Sequence, residues 1–340
     1  MRAISLLLLV RLCASAQSPL AAGVDAYREG RLRAARESLE AALKANPDNL
    51  EAQTFLALTR AGAGECESQS PALRKLWHAS GAPELRRLAG LAALQCALAQ
   101  GAPEQGVPLL EELKSAYPGD ADVLYLGAKL YLKGWNDQVA EMFAKAPSSY
   151  RVNQLSAEIF ETQGNFGEAA GEYAKAIQKN PRAINLHYRR GRALLLGSHD
   201  AAALEAARQE FVAELALNAE DAAAEYQIGQ ILEAQGNLDG AARQFEKART
   251  LRPDFPEALL ALAKSRARQQ RYDQAIPLLQ RVVALQPANE TAHYNLMLAY
   301  RKANQPEAAA REKETLDRLQ RPPSGEFSDF LKKLEEKPKP

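Results

Sequence analysis

Cysteine, methionine and tryptophan are scarce in this 340-residue chain, at three, three and two residues, and aromatics make up only 6%. None of the cysteines belongs to a CxxC pair, so zinc-ribbon and thioredoxin-like chemistry lack their ligands. Runs of alternating Val, Ile, Thr or Tyr are missing, which argues against half-buried strands. No stretch of about 18 uninterrupted apolar residues is present, so no spanning helix is expected. An excess of one charge is also absent. Lys and Arg number 43 against 42 Asp and Glu, which disfavours a dedicated nucleic-acid or polybasic membrane binder. The histidines, His78, His187, His199 and His293, stand apart, with no HExxH and no pair at helical spacing, so no metal site is expected. Gly62-Ala63-Gly64 is followed by Glu67 where a dinucleotide loop needs its third glycine. Phosphate-loop, nucleophile-elbow and kinase signatures are missing too. Neither an enzyme nor a cofactor is expected.

What the chain does contain is a helix former's alphabet of Ala, Leu, Glu, Gln and Arg. Its first sixteen residues have a different character. Arg2, the apolar run Leu6–Val10 and Ala14-Ser15-Ala16 make the three parts of a secretory signal, with cleavage expected before Gln17. A lipid anchor at Cys13 is the rival, disfavoured by Leu12, which stands where such signals carry a small residue. Export to a bacterial periplasm or cell surface follows as an expectation. Cleavage would remove Arg2 and Arg11, leaving the mature chain near −1, and would remove Cys13, leaving Cys66 and Cys96.

After the signal, a 34-residue period takes over. Pro253 and Pro287 stand 34 apart, and the same residue types recur at fixed offsets before each proline. In 222–255 these are Gly229, Gly236-Asn237-Leu238, Ala241, Phe245, Ala248 and Pro253. In 150–183 they are Ala157, Gly164-Asn165-Phe166, Ala169, Tyr173, Ala176 and Pro181. Small residues such as Gly229 and Ala241 let two helices approach closely. Gly164 and Gly236 suit a left-handed turn after the first helix. Tyr173 and Phe245 fill the gap between hairpins, and the prolines stop the second helix. The pattern resembles the tetratricopeptide repeat (TPR) family. The resemblance spans residues 17–320 and divides them into nine copies: 16–49, 50–86, 87–120, 121–149, 150–183, 184–221, 222–255, 256–289 and 290–320. Several are irregular; 121–149 is five residues short and 184–221 four residues long. The fold it implies is all-α, a right-handed superhelical solenoid of antiparallel helix pairs.

Within that resemblance, Cys66 falls at the inter-helix turn of the second copy and Cys96 in the first helix of the third. These copies are neighbours, so a Cys66–Cys96 disulfide is expected, with two buried free thiols as the alternative. In the family the first helices line a groove. Carried onto this chain, the groove positions are Tyr125, Lys129, Tyr188, Arg192, Tyr226, Gln230, Lys264, Arg268, Tyr294, Arg301 and Lys302. Tyrosine offers an apolar face with a polar tip, and arginine a planar fork for carboxylates. The alternative is that the tyrosines only cover neighbouring helices. His187 and His293, each fourth in its copy, are expected to pack in the core. Lys264, Arg266, Arg268 and Arg271 cluster, but nucleic acid is not expected as a partner.

After Arg321-Pro322-Pro323, Phe327, Phe330, Leu331 and Leu334 are spaced as an amphipathic helix. Residues 321–340 are therefore expected to be a linker, a helix that caps the last copy or docks a partner, and a tail. The function expected from sequence is a non-catalytic scaffold holding a partner peptide or envelope protein in its groove. The alternatives are a regulatory or assembly subunit of an envelope polysaccharide or cell-wall enzyme complex, and a solenoid that binds carbohydrate directly.

Overall fold

The computed structural model describes residues 17–79 and 81–320, all of them helix, turn or loop with no strand. The signal segment with Cys13 and the expected C-terminal helix lie outside the described residues. Seventeen α-helices follow one another: α1 (Pro19–Arg28), α2 (Leu32–Ala45), α3 (Leu50–Gly62), α4 (Cys66–His78), α5 (Pro83–Ala99), α6 (Pro103–Ala116), α7 (Ala121–Lys145), α8 (Tyr150–Thr162), α9 (Phe166–Lys179), α10 (Leu186–Gly197), α11 (Ala201–Leu217), α12 (Ala222–Ala234), α13 (Leu238–Leu251), α14 (Pro256–Arg268), α15 (Tyr272–Leu285), α16 (Glu290–Lys302) and α17 (Pro306–Leu319). Contacts group them into two compact units, one ending at Lys145 and one starting at Ala146.

Local chemistry sets the helix ends. Asn49, Asp221 and Asn289 accept N–H bonds from the first turns of α3, α12 and α16, satisfying donors that a helix leaves unpaired. Gly164 and Gly236 take φ of 75° and 79° in the turns that separate α8 from α9 and α12 from α13, where a side chain would be strained. At Asn185 the cap comes from elsewhere. This residue has φ 74° and no cap bond of its own. The fully buried Glu214 of α11 accepts the N–H groups of Asn185 (2.7 Å) and Tyr188 (3.2 Å) instead.

The first unit has one contiguous core, running from Val24 and Leu39 through Phe55, Leu73, Trp77 and Leu94 to Leu130. Cys66 and Cys96 are disulfide-bonded within it, their Cα atoms 5.1 Å apart. The second unit is built from smaller clusters. Tyr173, Phe211 and Phe245 sit at their centres, each fully buried.

Three expectations need correction. Residues 121–149 carry one 25-residue helix, α7, and no helix pair. Gly134 falls one place before the Gly-Asn turn position of other copies and stays helical. The Lys133–Asp137 pair bridges successive turns across the place where the chain would reverse, and Glu141–Lys145 bridges turns further along the helix. The third copy's first helix starts at Pro83, four residues ahead of 87, because proline suits the first helical position. Finally, of the two histidines expected to pack in the core, His293 is buried but His187 is only half-buried, and both are tied to carboxylates. His187 Nδ1 lies 2.6 Å from Glu210 Oε2, and His293 Nδ1 lies 2.6 Å from Glu312 Oε2. Asn153 donates to Glu172 at the same place in α8 and α9 (2.6 Å). The fourth position of these copies is a polar latch between a first helix and its second.

Candidate functional site

In the first unit, α1, α3, α5 and α7 surround a groove of about 480 Å³. Its wall is largely apolar: Leu58, Leu88, Leu91, Ala92 and Leu126, with Tyr27, Tyr125 and the disulfide also lining it. Arg87 lies at the rim but is already engaged. Its guanidinium donates to Asp120 (2.8 Å) and Asp122 (2.6 Å). That bonding raises the Arg87 pKa. The same bond, with help from the Val123 N–H, pulls the Asp120 carboxyl down to about 2. Of the groove residues expected from sequence, only Tyr125 and Lys129 belong to this unit. Tyr125 is 62% exposed, and the Lys129 ammonium stands 5.4 Å from its ring centre, a cation–π distance.

The remaining expected residues lie on the first helices of the second unit. Tyr188 and Arg192 are on α10, Tyr226 and Gln230 on α12, Lys264 and Arg268 on α14, and Tyr294, Arg301 and Lys302 on α16. The tyrosines divide into two kinds. The rings of Tyr188 and Tyr226 are half-buried, Tyr188 against Phe211 (5.5 Å) and Tyr226 between Phe245 (5.7 Å) and Phe255 (5.2 Å). Burial pushes both phenols above their ordinary value, and Arg192 opposes the shift at Tyr188. These two rings hold helices together and offer their polar tips; Gln230 donates to the Tyr226 hydroxyl (2.7 Å). Tyr294, 49% exposed, keeps a free ring face.

The cations divide as well. Arg268 of α14 is ion-paired with Glu233 of α12. Arg192, Arg301 and Lys302 are exposed and Lys264 is half-exposed. None of these four has a carboxylate partner among the described residues, whereas neighbouring Arg266 and Arg268 do. An exposed cation with no internal partner keeps its capacity to bind an external anion.

Sequence reasoning missed the apolar wall of the first unit. The copy starting at 87 does put Leu88, Leu91 and Gln95 at its second, fifth and ninth places, but they were passed over in favour of tyrosines and cations. Pro83 marks only that α5 begins one turn earlier. Among the described residues, no three His, Cys, Asp or Glu side chains gather in a way that could hold a metal. No helix there is long and apolar enough to cross a membrane.

Residues 20–68 and 155–211 match the family described as tetratricopeptide repeat. Residues 193–322 match the bacterial transcriptional activator domain. No curated protein matches the chain. Among solved structures, MamA from Desulfovibrio magneticus RS-1 is similar at 18% identity, covering 50% of this chain and 94% of its own, with a TM-score of 0.45. YrrB, described as a TPR protein with an unusual peptide-binding site, is similar at 18% identity, covering 57% of this chain and 97% of its own, with a TM-score of 0.45. The helix pairs at a 34-residue period, with small residues at their contacts, carry tetratricopeptide repeats in the matched segments of both units.

Proposed function

We propose that this protein is an exported, non-catalytic scaffold that holds an acidic, extended partner segment along the first helices of its second unit. The observation that carries the proposal is the row of cations without internal partners, Arg192, Lys264, Arg301 and Lys302, on α10, α14 and α16. Tyrosine hydroxyls and amide groups between them, such as Tyr226 and Gln230, can bond a peptide backbone. A partner carboxylate would gain a charge-assisted bond from each cation it reached, without displacing an internal partner. A direct carbohydrate site draws less support. Sugar stacking needs open ring faces, and the rings of Tyr188 and Tyr226 are half-covered by phenylalanines.

Export is part of the same proposal. A disulfide is retained in oxidising compartments, which agrees with the signal-like segment before Gln17.

The test is crosslinking and co-purification from the envelope fraction. Wild type is compared with an Arg192→Glu, Lys264→Glu, Arg301→Glu variant whose circular dichroism is unchanged. The expected outcome is a partner captured by wild type and lost by the variant. A partner held equally by both would place binding elsewhere and overturn the reading.

A further inference from the structure

Among the described residues no second helix covers one apolar face of α7; at its edge the Tyr131 hydroxyl donates to Glu111 of α6 (2.7 Å). Leu124, Ala128 and Tyr131 stand at the fourth, eighth and eleventh places of their copy. In complete copies those places face the second helix of the same pair. Asn153 of α8 bonds Glu172 of α9, Gly229 of α12 lies against Phe245 of α13, and His293 of α16 meets Glu312 of α17. Because α7 runs straight on for 25 residues, its copy has no second helix. Val123, Leu126, Gly127 and Leu130 pack the other side of α7 into the first unit's core. Leu124, Tyr131, Leu132 and Trp135 are left 53%, 50%, 60% and 49% exposed.

The bare face has the form of a helix-docking seam. Leu124, Ala128, Tyr131, Trp135, Gln138 and Met142 are spaced 4, 3, 4, 3 and 4 residues apart, the alternation of a coiled-coil seam. Leu132 and Val139 widen it on one flank. Ala128 occupies the small-residue place through which a second helix approaches in other copies, and it is exposed.

We infer that the missing helix is supplied by α7 of a second copy of this chain, running antiparallel about a two-fold axis beside Lys133. Two observations select this occupant. The seam is symmetric about Lys133, so Leu124 meets Met142, Ala128 meets Gln138 and Tyr131 meets Trp135, while Leu132 meets its own counterpart. An isologous contact requires such self-complementarity. The area is sufficient as well. With roughly 150–250 Å² per aromatic side chain, the half-exposed rings and leucines give roughly 500 Å² per copy. Two copies together then reach the roughly 1,000 Å² that a specific interface needs.

The experiment is sedimentation equilibrium of the mature chain over a range of concentrations, comparing wild type with Leu132→Glu and Trp135→Glu. Both side chains are exposed, and unchanged thermal melting would show that the variants fold. Wild type is expected to be a dimer at micromolar concentration and each variant a monomer, with dissociation at least a hundredfold easier. A Leu132→Cys variant is expected to form an intermolecular disulfide across the axis without loss of melting temperature. Acrylamide quenching locates the face in wild type, because the other tryptophan, Trp77, is buried. Trp135 should be shielded in the dimer and exposed on dilution. A wild-type monomer at all concentrations overturns the inference, whether Trp135 is open or already shielded by its own chain. A dimer that persists in both glutamate variants overturns it equally.

Discussion

A Cβ placed on Gly229 would lie 2.5 Å from Cε1 of Phe245, a ring that is fully buried and has nowhere to move. Gly171, on the exposed side of α9, has no atom within 4 Å of the same construction. Both glycines are helical, so alanine at either removes the same propensity penalty of about 1 kcal/mol. Only packing separates them, and overpacking a tight core costs about 1–3 kcal/mol. The two substitutions should therefore act in opposite directions. Gly171→Ala should raise the denaturation midpoint and Gly229→Ala should lower it, with a spread between them of about 1–3 kcal/mol by urea titration. At this scale the sequence was informative. Gly229, Tyr173 and Phe245 could be assigned to helix contacts from their offsets alone, because each depends on a residue type that the contact requires. The half-burial of Tyr188 and Tyr226 stood only as an alternative, since it depends on Phe211 of α11 and on Phe255 just before α14.

Elements were legible where a residue type enforces a boundary and illegible where only an absence marks one. Gly-Asn turns and N-cap side chains announce α8, α12 and α16. The continuation of α7 had no such announcement. It follows from a glycine one place early and from the Lys133–Asp137 pair across the expected reversal. The start of α7 is nonetheless sharply fixed. Asp120 accepts the N–H groups of Asp122 and Val123, and its carboxylate also receives Arg87 from α5. This group therefore joins two helices, and its pKa near 2 lies below the ordinary aspartate value of about 3.9. A carboxyl depressed in the folded state stabilises fully above its unfolded value. That contribution fades as pH falls through the folded value. The difference in stability between wild type and Asp120→Asn should hold steady from pH 7 to about 4, then shrink between about 4 and 2. Denaturant titrations at graded pH would show it. A constant difference throughout that acid range would mean that the Asp120–Arg87 bond does not link α5 to α7.

Over the whole molecule, the two units differ in how they are held together. The first has one continuous core and a disulfide, while the second has a chain of smaller clusters centred on single aromatics. Cys66 and Cys96 are 30 residues apart in sequence, and closing a loop of that length stabilises by about 3.6 kcal/mol in the chain-entropy picture. That stabilisation belongs to the first unit alone, because both cysteines lie in it and stability in repeat folds is largely local. Both tryptophans, Trp77 and Trp135, are also in the first unit. Tryptophan fluorescence therefore follows this unit, while far-ultraviolet circular dichroism follows the helices of both. Reduction should lower the thermal midpoint seen by fluorescence by roughly 10 °C and split the circular dichroism transition, its upper step staying where it was. If both probes fell together by the same amount, the disulfide would be supporting the second unit as well, and stability would not be local to the helix pairs that the bond connects.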